Sequence, residues 1–305
     1  GGCRSTIAGG SNNSIFPVST GSFIGGGHNN AICTGDCSVI AGGQSNNVCG
    51  TNNAIIAGTL NLIVASNSLL GAGQGNSISG GGNFNFLGAG YQNTLSSRYG
   101  FLGSGQANTL SGACSALAGG RANTVSGDFA FAGAGCNNTV SGIMSAVVAG
   151  SGSSASGACS FVGGGTANTV SNYGNSFIGG GLSNCVAAVT SGIMVGASNC
   201  IRGGGGNDCN IIGGGSSNKI FNSKYSFIGG GWCNCINAGL GSSVIAGGVC
   251  NTINSTTGSI GYAAILGGSQ NKADNTYATV VAGNANTSSG YGSFVGAGTS
   301  NIASG

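Results

Sequence analysis

Residues 160–172 read SFVGGGTANTVSN, and the same phrase returns along the whole chain. FLGSGQANTLSG starts at Phe101 and SFIGGGWCNCI at Ser226. Aligned on Gly-x-x-Asn, the chain falls into nineteen rows anchored from Asn13 to Asn301, with Ser153 the one anchor that is not asparagine. That is 288 residues over 18 intervals, a mean period of 16. Most intervals are 15, and the long ones before Asn218 and Asn271 read as loop insertions. A period this short cannot hold a helix pair, but it suits one coil of a β-solenoid. The rows fill residues 1–305, which reads as a single repeat array cut from a longer chain.

With the anchor set as position 9, position 6 is glycine in every row. Position 3 is Ile, Leu or Val except at Ala132, and position 11 is apolar except at Ser288. Each row therefore predicts two short β segments, positions 1–5 and 9–13, joined by a glycine turn. Position 6 reads as backbone of positive φ, which only glycine adopts cheaply. The anchor column, including Asn108, Asn123, Asn138, Asn168, Asn184 and Asn234, predicts a ladder of side-chain amides capping that turn. The expected fold is all-β, a parallel β-solenoid or β-roll of about 19 coils of 15–16 residues. At about 4.8 Å per coil it would extend roughly 90 Å.

Composition agrees. Glycine holds 67 of 305 positions, which disfavours helices, and it lacks the strict third-residue spacing of collagen. Only 4% of residues are charged, against about a quarter in a typical domain. The seven basic residues are scattered, so no nucleic-acid footprint is expected. No run of 18 apolar residues is present to form a membrane-spanning helix.

Side chains alternate across a strand, so positions 2 and 4 share a face opposite position 3. Ten rows have glycine at position 4, and there position 2 is bulky: Phe23, Leu69, Phe86, Phe101, Phe131, Phe161, Phe177, Ile211, Phe227 and Phe294. In the other nine rows position 4 is larger, as in Ile56, Val148 or Met194, and position 2 is never aromatic. Conserved volume is the mark of a packed face, since voids and overpacking both destabilise. A lone solenoid buries only the inner face, so this pattern predicts a partner surface. We read the phenylalanine column as the interface of a homo-oligomer, with parallel copies arranged as a trimer. The second strand, with Thr, Ser, Cys or Lys at positions 10 and 12, reads as half-wet.

The rows resemble the head repeats of trimeric autotransporter adhesins of the YadA-like type, through Ser38-Val39-Ile40-Ala41-Gly42, Ser243-Val244-Ile245-Ala246-Gly247 and the pairs Ser111-Gly112, Ser126-Gly127 and Ser141-Gly142. They are similar as well to the Gly-Gly-Gly-x-x-Asn rows of phage-type and large-virus fibre proteins. The resemblance spans essentially the whole chain. It implies a left-handed parallel β-roll trimer on an extracellular or virion surface, with a host-surface protein or glycan as partner. An extra residue per row and thirteen cysteines depart from the adhesin pattern. These departures favour a virion fibre.

No enzymatic site or cofactor is expected. Asp36, Asp128, Asp208 and Asp274 are many rows apart, in turns or insertions where solvation accounts for them. Paired-carboxylate chemistry needs about 5–10 Å. His28 lies in a turn without a serine–acid set around it. Cys233-x-Cys235 and Cys33-x₃-Cys37 lack histidine partners, so zinc is not expected. Most cysteines occupy repeat columns as small residues, and stacked neighbours such as Cys185 and Cys200 could cross-link under oxidising conditions. A second functional reading rests on Ser77-x-Ser79 and on Thr-x-Ser at Thr94, Thr109, Thr124, Thr139 and Thr169. A flat outward array of hydroxyls and methyls could order water, as an ice-binding solenoid does.

Overall fold

A computed structural model describes residues 4–80, 84–171, 173–239, 241–254 and 261–305. Every regular element among them is a β-strand, and none is a helix. The chain divides into two compact units, Gly1–Gly150 and Ser151–Gly305. Both are parallel β-solenoids of the same coil, and the chain has about nineteen turns in all.

In the first unit a representative coil contributes Phe101–Leu102 and Thr109–Leu110. Phe101 pairs with Ala116 and Leu102 with Leu117, while Thr109 pairs with Thr124 and Leu110 with Val125. The second unit repeats this register, with Phe161 opposite Phe177 and Thr169 opposite Cys185. Most strands are two residues long, shorter than the expected five. The corners explain the difference. Position 8 adopts left-handed backbone in every coil, as in Ala107 at φ 53° and Gln92 at φ 53°. The residue before position 1 does so in most coils, as in Tyr99 at φ 59° and Cys114 at φ 53°. Such residues end a strand and cost of order 1 kcal/mol each. The stacked hydrogen bonds on either side hold them there.

A third ladder, one residue wide, runs through position 7. It links Tyr91, Gln106 and Arg121 in the first unit and Ser216, Trp232 and Val249 in the second. Gln106 N donates to Gly120 O at 2.9 Å, and Ala107 N donates back to Tyr91 O at 2.9 Å. The left-handed residue reverses the direction of the bond between neighbouring coils.

The core is a single file of apolar side chains from positions 3 and 11. Leu102, Leu110, Leu117 and Val125 are wholly buried, as are Ile178, Val186, Ile193 and Ile201 in the second unit. Ser288 breaks the apolar column at position 11, and its hydroxyl donates to Ser293 O at 2.8 Å. The insertion before Asn218 is extended rather than looped, because strand Cys200–Asn207 continues along Cys185–Val189. Within the insertion before Asn271, residues 255–260 lie outside the described residues.

Candidate functional site

Two faces of the coil could meet a partner. The first is built by position 2. Its phenylalanines point outward, with Phe23 and Phe86 at 37% exposure and Phe101 at 45% in the first unit. In the second unit Phe161 and Phe227 are comparably exposed, Phe294 more so, and Phe177 is half-buried. No charged residue occupies position 2 or 4 in any row. Phe86 and Phe101 stack with ring centroids 5.3 Å apart, and at the adjoining corner Phe84 stacks on Tyr99 at 5.5 Å. Between Phe23 and Phe86 the smaller Val39, Ala54 and Leu69 leave a shallow cavity of about 580 Å³, rimmed by Asn52, Asn67 and Phe84.

The volume exchange between positions 2 and 4 has its cause inside the chain. Each ring lies back over the glycine two residues on. A Cβ at Gly88 would sit 3.3 Å from the Phe86 ring, and one at Gly163 would sit 3.4 Å from Phe161. The same glycines lie against the next coil, so that a Cβ at Gly103 would meet Ala118 O at 2.4 Å. Phe177 differs: its ring leans over Gly192 in the neighbouring coil. The exchange is therefore satisfied without a second subunit. What the exchange leaves unexplained is the apolar surface that stays exposed.

The anchor asparagines are hydrogen-bonded throughout and buried in every coil but the first and the last. Asn108 Nδ2 donates to Ser104 O at 3.2 Å and to Gly120 O at 2.9 Å, while its Oδ1 accepts Asn123 N at 3.0 Å. Asn123 makes the equivalent bonds, and Asn138 Nδ2 donates to Ala134 O and Gly150 O. In the second unit Asn168, Asn184 and Asn234 do the same, and Asn184 and Asn234 also donate to the preceding anchor's Oδ1. A second polar ladder at position 1 was missed by the sequence reading. Asn53 N donates to Ser38 Oγ at 3.2 Å and Ser68 N to Asn53 Oδ1 at 3.0 Å, with Ser38 Oγ capping Gly50 O at 2.8 Å. Its signal was present in the alternation Ser38, Asn53, Ser68, Asn85 one coil apart.

The second face is formed by positions 10 and 12. Thr94, Thr109, Thr124 and Thr139 pair in register and point outward in the first unit. In the second unit the same column becomes Cys185, Cys200, Lys219 and Cys235.

The remaining candidates are corner caps. Asp36 Oδ1 accepts Thr20 N at 2.7 Å and Asp128 Oδ1 accepts Ala113 N at 2.8 Å. Asp208 is buried rather than solvated, and its Oδ2 accepts Val189 N at 3.1 Å. His28 Nδ1 lies 2.9 Å from Ser11 Oγ on the exposed position-7 ladder. Among the described residues no three metal-ligating side chains cluster, and all twelve described cysteines are free thiols. No family model matches the chain, and no curated protein matches it in sequence.

Proposed function

We propose that this is a structural, self-associating repeat protein and not an enzyme. Its first-strand faces would pack on further copies of the chain as a homotrimeric fibre shaft, displayed on a virion or cell surface, with a host-surface protein or glycan as an external partner. The observation that carries this is the uncharged outer face of the first strands. The phenylalanines Phe23, Phe86, Phe101 and Phe131 alone leave roughly 300 Å² of ring surface bare. With Ile56 and Val148 the apolar area reaches about 450 Å², the size of the largest patch on a typical monomer, which is often a functional surface. The asparagine and serine ladders make each coil a rigid, repeating platform for such a contact.

The test is mass in solution. The wild-type chain is expected to sediment as a multiple of 28.8 kDa. Replacing Phe86, Phe101 and Phe131 together with lysine should yield a folded monomer, because these rings contribute nothing to the inner core. A wild-type chain that stays monomeric at high concentration would overturn the proposal.

The in-register threonine array of the first unit supports a second reading, an ice-binding surface. Successive rungs stand about 4.8 Å apart, and side chains two residues along a strand about 6.8 Å. Against it, Leu62 interrupts the column on one side of Ser77. If ice is the ligand, Thr109→Lys should abolish thermal hysteresis that the wild type displays; a wild type without hysteresis disposes of the reading.

A further inference from the structure

On the second-strand face of the second unit, Cys185 and Cys200 are direct partners in adjacent coils, with Val186 opposite Ile201 and Ala187 opposite Arg202. Arg202 stands two residues beyond Cys200 and therefore shares its outward face. Its positive charge acts on both thiols. On the far side Lys219 pairs with Cys200. The strand before Cys185 contributes only Thr169 and Ser171 to this face. Both thiols are half-buried, so small reagents reach them while bulk water does not fully solvate them.

We propose that Cys185 and Cys200 form a redox-active dithiol that exchanges with small disulfides, Cys185 attacking and Cys200 resolving, with Arg202 as the positioning cation. The proposal stands independently of the fibre reading, since the pair lies on the sheet opposite the phenylalanine column.

The chemistry balances with a small disulfide as oxidant. Cys185 thiolate attacks one sulfur of the disulfide, a mixed disulfide forms, and the other half leaves as a thiolate. Cys200 then loses its proton to solvent, attacks Cys185 Sγ and expels the second half. Two electrons pass from the protein pair to the small disulfide, which ends as two thiols.

The environment assigns the roles. The hydrogen bond from Cys200, aided by Arg202, pulls the Cys185 thiol down to about 6. Cys200 is pushed up, chiefly by that same bond, so it is the proton donor until Cys185 is capped. Capping removes the thiolate and with it the main cause of the upward shift. Two other stacked pairs serve as internal comparisons. Cys49 is pushed up to about 11 by burial and by its neighbour Cys33. Cys233 and Cys250 sit at successive corners, where no cation acts on Cys250.

Geometry allows the bond and exposure makes it reversible. Paired residues in adjacent parallel strands are about 4.8 Å apart, within the Cα range a disulfide tolerates. A disulfide here lies on the partly exposed outer face, open to reductant, as labile rather than structural disulfides are.

The test treats the folded chain with hydroxyethyl disulfide and maps products by peptide mass spectrometry. At pH 7 the lower nucleophilicity of a low-pKa thiolate offsets most of its abundance, leaving roughly a twofold rate advantage over an ordinary thiol. At pH 5 the advantage grows to roughly 20-fold, because ordinary thiols are then almost wholly protonated. The expected result is a Cys185–Cys200 disulfide formed ahead of all others at pH 5 and reversed by millimolar dithiothreitol. Cys200→Ser should trap the mixed disulfide on Cys185, and Arg202→Gln should slow capture at pH 5 several-fold. Capture at pH 5 that is no faster at Cys185 than at Cys33, Cys49, Cys233 or Cys250 would overturn the proposal. So would an adduct at Cys185 in the wild type that Cys200 never displaces. The wild-type pH profile needs no variant, so a poorly folding mutant cannot leave the matter open.

Discussion

Gly165→Ala is expected to destabilise the protein by about 3 kcal/mol or more, whereas Gly164→Ala, one residue earlier, leaves stability unchanged or slightly raised. The two glycines look alike in sequence, both within Gly163-Gly164-Gly165. Gly165 sits at φ +87°, and an added Cβ would stand 2.1 Å from Gly181 O and 2.8 Å from Asn168 Nδ2. The first contact is backbone against backbone, which no rotamer change relieves. The second displaces the amide that caps the turn. At Gly164 a Cβ meets nothing within 4 Å, and its φ lies outside the left-handed region. There alanine removes freedom from the unfolded chain without straining the folded one. Gly163 belongs with Gly165, since its Cβ would reach Gly179 O at 2.3 Å. Urea midpoints of the three alanine variants provide the check. Equal loss at Gly164 and Gly165 would mean that glycine is required for some reason other than close approach between coils.

That contrast shows what the repeat could and could not reveal. Position 6 was legible because it is invariant, and all nineteen of these glycines have positive φ. Position 8 is left-handed just as regularly, yet it carries Asn, Ser, Ala, Cys, Gln and even Leu60. Its strain is spread over residues that tolerate it, so no single residue type marks it. The two strands per coil were legible from apolar positions 3 and 11. Their brevity was not, because strand ends follow from those unmarked corners. The position-7 ladder has no preferred side chain at all, running from Trp232 to Ser269, and only backbone pairing defines it.

The outer face was legible in composition but misread in cause. Phenylalanine at position 2 and glycine at position 4 trade volume because, in every phenylalanine row but that of Phe177, the ring covers the glycine of its own coil. A pattern of this kind reports local packing first; association must be argued from the surface left exposed. The thiol pair was visible as two cysteines one row apart. The cation that differentiates them was not singled out, although Cys200-Ile201-Arg202 places Arg202 on the same face by simple alternation.

Asn108→Ala should cost about 3–4 kcal/mol, a loss second only to that at the turn glycines. The amide joins three groups at once: it donates to Ser104 O within its coil and to Gly120 O in the next, and its oxygen accepts Asn123 N. Gly120 O keeps a partner in Gln106 N after the change. The Asn123 N–H does not; it is left buried without an acceptor, which alone costs about 1–3 kcal/mol. The chain contains its own milder variant. At Ser153 the hydroxyl stands in the anchor position, and Asn168 N donates to it at 3.3 Å. Asn108→Ser should therefore keep the acceptor, retain at most one of the two donated bonds, and cost roughly half as much as alanine. Asn108→Asp should be worse than alanine, since a buried carboxylate would face Ser104 O and Gly120 O with no proton to offer. Urea midpoints should thus fall in the order Asn, Ser, Ala, Asp. Amide exchange at Asn123 should quicken most in the alanine variant, where its acceptor is gone. If serine and alanine destabilise equally, the oxygen's role as acceptor between coils is refuted, and the column persists for its donors alone.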